Sequence, residues 1–166
     1  MKKILLLATL SVSFLSQGQN LITEGFDDVT TLLGTGGWSN INSATAVGTQ
    51  PSWRQGDGTT IPAYAGAANS CAFVNYQSVT GANTISTWLI TPTINLQDGD
   101  VIKFWASTVA TVQYTDRLQV LLNSTGGANP ALASPEDLGG FSTLLLDIND
   151  GLTTSGFPST MTEQTI

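Results

Sequence analysis

The sequence predicts an all-β fold, a sandwich of two antiparallel sheets, on three observations. From Leu21 onward no apolar spacing of three and four is sustained, so no long amphipathic helix is written into the chain. Short alternating or apolar runs recur instead, each bounded by Gly, Asn, Asp, Ser or Thr. Glycine (17) and proline (6) are frequent in the 166 residues while charge is sparse, with 12 acidic and 5 basic side chains. That composition disfavours a helical bundle and also a disordered acidic tail. Jelly-roll and immunoglobulin-like topologies share this pattern, and spacing alone leaves both open.

In chain order, the first element is an address rather than part of the fold. Met1-Lys2-Lys3 is a short positive region, Ile4 to Leu15 is mostly apolar, and Ser16-Gln17-Gly18 sets small residues before a cut. This is the pattern of a secretory signal peptide over residues 1–18, and the apolar run falls short of the about 20 residues that span a bilayer. Removing Lys2 and Lys3 takes the formal charge from −7 to −9. No later apolar run reaches spanning length.

Candidate strands follow at Leu21–Phe26, Cys71–Tyr76, Ile85–Ile90, Val101–Val109, Arg117–Asn123 and Ser142–Ile148. Side chains alternate along a strand, so Ile102, Phe104 and Ala106 share one face and Val101, Lys103 and Trp105 the other. By the same rule Leu118, Val120 and Leu122 point inward, opposite Arg117 and Gln119. Asp98-Gly99-Asp100 reads as a turn. Between Thr31 and Ala68 seven glycines punctuate a Thr, Ser and Asn background that carries Trp38, Trp53 and Tyr64. A loop of that length in a compact domain is functional or holds short strands of its own.

Several functions are excluded by what is missing. The chain has no histidine, which removes Ser-His-Asp and Cys-His catalysis and nearly every zinc site. No basic cluster exists to neutralise phosphates, so nucleic acid is not an expected partner. The single cysteine, Cys71, has no internal disulfide partner and reads as a small hydrophobe. Paired carboxylates are the one catalytic option left, yet no pair stands at a strand end beside an aromatic cleft, and no enzyme activity is expected.

Specific strings then carry a resemblance: Ile22-Thr23-Glu24-Gly25-Phe26-Asp27-Asp28, Gly37-Trp38, Trp53 with Gly56, Ala72-Phe73-Val74-Asn75-Tyr76, Thr87-Trp88-Leu89-Ile90-Thr91-Pro92, Lys103-Phe104-Trp105, and Asp116-Arg117-Leu118-Gln119-Val120. In that order and spacing they resemble the choice-of-anchor J, or cleaved-adhesin, domain, from Glu24 to Pro158. The resemblance implies a jelly-roll β-sandwich over residues 19–166, related to the MAM type. Such domains are found in exported bacterial proteins, in adhesin regions of gingipain-like proteases and in cargo of type IX secretion, where they bind and display without catalysing. Two departures stand out. Thr87 occupies a place where the family often has an acidic or amide residue, and the chain stops at Ile166 shortly after Gly156-Phe157-Pro158, where the family continues. The domain is therefore expected to be truncated at its C-terminus.

Glu24, Asp27 and Asp28 set three carboxylates at the end of the first candidate strand, and hard oxygen ligands suit calcium outside the cell. Alternation puts Glu24 and Asp28 on one face and Asp27 on the other, so the expected calcium ligands are Glu24 and Asp28 with Asn69 and Ser70 from the facing turn. The competing reading is a solvated strand end with an Asx turn. The resemblance also implies calcium near this strand.

Trp38, Trp53, Tyr64 and Tyr76 offer aromatic faces on which sugars stack; core packing is the alternative. Trp88 and Trp105 lie within strand patterns and are assigned to the core or the strand surface. Trp53, Tyr64 and Tyr76 are the expected ligand-binding residues. Asp147-Ile148-Asn149-Asp150-Gly151 fails as a calcium loop, since Leu152 and Pro158 stand where glycine and glutamate are needed. Gly34-Thr35-Gly36-Gly37 lacks the lysine and helix of a phosphate cradle. Asn123-Ser124-Thr125 reads as a turn.

The expected function is thus a secreted or cell-surface binding module for an extracellular glycan or protein, stabilised by calcium. A structural spacer in a larger secreted protease or hydrolase, and a carbohydrate-binding module of a polysaccharide-degrading enzyme, are the rival readings. Further domains of the same polypeptide are expected partners.

Overall fold

A computed structural model describes residues 20–111, 114–127 and 131–166. The expected signal segment, residues 1–18, lies outside the described residues. The fold is mostly short antiparallel strands with little helix. In chain order come α1 (Val29–Gly34), β1 (Ser39–Asn42), β2 (Arg54–Gln55), β3 (Ala72–Phe73), a 3-10 turn (Tyr76–Ser78), β4 (Thr87–Ile90), β5 (Lys103–Ala106), β6 (Leu118–Leu122), β7 (Thr143–Ile148) and β8 (Thr162–Thr165). Among the described residues the strands form four two-stranded antiparallel ribbons, β1 with β4, β2 with β3, β5 with β8 and β6 with β7.

The segment expected as a first strand, Leu21–Phe26, joins no ladder among the described residues. Its burial still alternates, with Ile22, Glu24 and Phe26 turned partly inward. Phe26 then adopts φ 56, a left-handed conformation that costs a bulky residue strain, and the strand periodicity ends there. Three contacts hold the bend. Phe26 N donates to Glu24 Oε1 at 2.6 Å, its carbonyl accepts from Gln55 Nε2 at 2.7 Å, and its ring meets Trp38 edge-on at 5.7 Å.

Helix α1 starts at Val29 because Asp28 caps it. The Asp28 carboxylate accepts from Thr31 N at 3.0 Å and from Thr31 Oγ1 at 2.7 Å, satisfying donors that a first turn leaves unpaired. A helix this short is not stable by propensity. Burial of Val29 and Leu32 and the donation of Val29 N to Gln55 Oε1 at 2.8 Å fix it in place. Gly36 ends it, since a Cβ there would lie 2.7 Å from the Leu32 carbonyl oxygen.

Strand β1 lies inside the stretch read as a long loop. Its register sets Ser39 opposite Ile90 and Asn42 opposite Thr87. Its two asparagines extend the pairing with side-chain amides. Asn40 Nδ2 donates to Trp53 O at 2.8 Å while Asn40 Oδ1 accepts from Trp53 N at 3.3 Å. Asn42 Nδ2 donates to Pro51 O and Ser78 O at 2.8 and 2.7 Å, which ties two further loops to the ribbon.

Strand β5 keeps the expected faces, with Phe104 and Ala106 turned in and Lys103 and Trp105 turned out. The β6–β7 ribbon carries a register shift between Val120 and Leu121, which turns both of those residues and Leu122 partly inward while Gln119 stays exposed. Ile148 and Ile90, at the ends of their strands, are buried with Val79, Ala44, Val29 and Leu32. Cys71 is partly covered: Gly56 N donates to Cys71 O at 2.9 Å, and a Cβ on Gly56 would collide with the sulfur.

Candidate functional site

Two places hold residues that the sequence singled out. The first is the junction between Glu24–Asp28 and the turn Gly66–Ser70. Because the chain bends at Phe26, it is Asp27 that faces this turn, and Ser70 Oγ donates to Asp27 Oδ1 at 2.5 Å. Gly66, at φ 81, passes so close that a Cβ would lie 3.2 Å from Ser70 Oγ and 3.5 Å from Asp27 Oδ1. Gln55 Nε2 donates to the carbonyls of both Phe26 and Asn69, lacing the two segments together.

Of the four residues expected to hold calcium, Ser70 and the Asn69 carbonyl therefore sit at this junction. Glu24 is engaged with the Phe26 amide, and Asp28 turns both oxygens toward Thr31. Those bonds, the Thr31 hydroxyl's first, hold the Asp28 carboxyl below the usual carboxylate range. Among the described residues no group of three or more His, Cys, Asp or Glu side chains converges. The oxygens at hand are one carboxylate, one hydroxyl and two carbonyls, a hard set of the kind calcium takes, with both carbonyls already accepting from Gln55.

The second place is a groove beside Tyr76. Residues 46–50 run antiparallel to 77–80: Gly48 N donates to Ser78 O at 3.0 Å, Gln50 N to Gln77 O at 3.0 Å and Thr80 N to Ala46 O at 2.8 Å. Gly48 is needed there, because a Cβ would be driven into the Gln77 carbonyl oxygen. Asn75 opens the 3-10 turn by accepting from Gln77 N at 3.0 Å, and the turn throws Tyr76 outward, 73% exposed. The groove is about 460 Å³ and is lined by Tyr76 with Thr49, Gln77, Thr80, Asn83 and Ile85. An exposed aromatic ring beside amides and hydroxyls can stack on the apolar face of a sugar and bond its hydroxyls.

The other aromatic residues are distributed elsewhere. Tyr64, 60% exposed, lies flat on Trp105, with ring centroids 4.2 Å apart and planes 10° from parallel. One face of each ring is thereby used by the other. Trp53 is half-buried, and its indole N–H donates to Thr87 O at 3.0 Å, so it joins the loop before β2 to β4. Trp88 tilts against Phe141 at 5.6 Å. A further cleft of about 520 Å³ lies along Thr154–Thr160 beside Ala110.

The sequence singled out Tyr76 but not its neighbours Thr49, Gln77, Asn83 and Ile85, nor Gln55 as the link at the first junction. The run of Thr, Gly and Asn after Val79 was the available signal for the groove. Comparison with protein-family models, with curated proteins and with solved structures finds no match to this chain.

Proposed function

We propose that this chain is an exported, non-catalytic adhesin-type module that recognises a surface glycan, built on a jelly-roll sandwich of the choice-of-anchor J kind. The observation that carries the reading is Tyr76, an exposed aromatic ring set against the amides of Gln77 and Asn83 in an open groove. Support for export comes from the charged and apolar N-terminal pattern, and support for a binding rather than a catalytic role from the lack of histidine. The ordered strings from Glu24 to Pro158 support the jelly-roll type. Further domains of the same polypeptide are its natural partners in such an arrangement.

Calcium is part of the proposal as a tie between loops. Asp27 supplies the charge, with Ser70 Oγ and the carbonyls of Phe26 and Asn69 beside it. A cation that binds only the folded state raises its stability. The full chain is therefore expected to melt higher in calcium than in chelator, and Asp27→Asn to abolish the difference. Identical melts for the unaltered chain remove calcium from the proposal.

The glycan reading is tested on a printed glycan array with the purified full chain. Binding to a defined glycan set that Tyr76→Ala loses, at unchanged circular dichroism, is the expected result. An array with no signal above background overturns it.

A further inference from the structure

We infer that the Tyr76 groove takes a neutral saccharide, of uncharged hexose or N-acetylhexosamine units, and rejects uronate, sialylated and sulfated chains; this rests on the glycan reading above and names the ligand class of the same groove. The sequence that builds the groove is empty of charge. No Asp, Glu, Lys or Arg occurs between Asp28 and Arg54, nor between Asp57 and Asp98, so both walls, 46–50 and 76–85, consist of uncharged residues.

An anionic sugar needs a cation, ideally a guanidinium that grips a carboxylate or sulfate with two bonds. Among the described residues no cation lines the groove. Arg54 lies 4.7 Å above the Phe73 ring, Lys103 Nζ stands 3.7 Å from Glu163 Oε1, and Arg117 is bound by Asp147. The formal charge of −7 adds a repulsive background for any anion.

What the groove does offer matches hydroxyl and acetamido groups. Asn83 Nδ2 donates to Thr80 O at 2.6 Å, which fixes the amide while its carbonyl end has no hydrogen bond among the described residues. Thr80 Oγ1 donates to Val47 O at 3.1 Å and keeps its lone pairs as acceptors. Ile85, 49% exposed, adds an apolar side chain to the lining of the same groove.

Affinity electrophoresis of the purified full chain tests the assignment, with galactomannan, xyloglucan or laminarin in one set of gels and alginate or polygalacturonate in another. Retardation is expected in at least one neutral gel, equal at about 0.05 and about 0.5 M salt because no ion pair is available to screen. Tyr76→Ala is expected to weaken it about tenfold or more. Asn83→Ala, a milder change at an exposed position, is expected to weaken it in the same direction. Retardation in the acidic gels that Tyr76→Ala abolishes overturns the neutral-ligand inference and leaves the glycan reading standing. Neutral retardation untouched by both substitutions overturns the placement in this groove. Retardation in no gel, together with a silent array, overturns the reading and the inference with it.

Discussion

Carboxylates in this chain act chiefly as acceptors for local donors, and their titration follows from that. Bonds from Thr31 lower Asp28, bonds from Thr60 and Thr59 lower Asp57, the amides of Ala133 and Gly139 lower Asp137, and Arg117 lowers Asp147. A carboxyl depressed in the folded state contributes stability that is present above its unfolded pKa, about 3.9, and is lost as pH falls through the folded value. With no histidine to titrate between pH 5 and 8, the melting temperature should be flat there and fall below about pH 4. Thermal melts from pH 7 down to about 2 check this; a constant melting temperature across the series contradicts it. Arg117 grips Asp147 with two nitrogens, and Gln119 Nε2 adds a third bond at 3.0 Å. The Asp147 side chain is 13% exposed but Arg117 is 39% exposed, so screening limits the pair, and Asp147→Ala should cost about 1 kcal/mol in urea titration. At this scale the exposure of Tyr64 was legible from its glycine-rich surroundings, whereas Trp53 in the same stretch is half-buried and tied to Thr87. Which carboxylate faces Ser70 was not, because strict alternation carried through Phe26 sends Asp27 away, and the left-handed Phe26 reverses that.

Strand character was most legible where a run of apolar residues is long enough to hold its period. Arg117–Asn123 exceeds β6 by one residue at each end, Ser142–Ile148 exceeds β7 by one at its start, and Lys103 to Ala106 keeps its faces. Strands β1 and β8 escaped because their residues, Ser-Asn-Ile-Asn and Thr-Glu-Gln-Thr, are polar; ladder bonds and amide side chains hold them, and hydropathy does not register those. The same argument applies to the groove, whose walls are joined by backbone bonds from Gly48, Gln50 and Thr80. Gly48→Ala must push the two walls apart, since the Gln77 carbonyl cannot yield as a side chain would. A loss of about 2 kcal/mol by urea unfolding, with loss of any Tyr76-dependent binding, is the expected outcome. A variant of unaltered stability argues against the wall geometry.

Over the whole molecule the buried apolar side chains are few among the described residues: Val29, Leu32, Ala44, Val79, Ile90 and Ile148. Val101, Leu144 and Leu152 are each half or more exposed, and among the described residues each ribbon leaves two edges without a ladder partner. Two-stranded ribbons are weakly stable alone, and open edges invite pairing between chains. The chain should therefore bind a hydrophobic dye such as ANS and show a mean mass that rises with concentration in light scattering; a dye-silent monomer at every concentration refutes this. The β class was legible at this scale because turn residues and short runs persist along the chain. How ribbons pair was not, because β5 finds its partner in β8, far along the chain, where local pattern has no influence. Cys71 gives this architecture a chemical handle. Burial first, and Asp57 second, raise the pKa of the only thiol in the chain, while Gly56 crowds its sulfur. Maleimide should thus label the native protein more slowly than the unfolded chain: a one-site stopwatch for loosening around β2 and β3, already installed by the sequence.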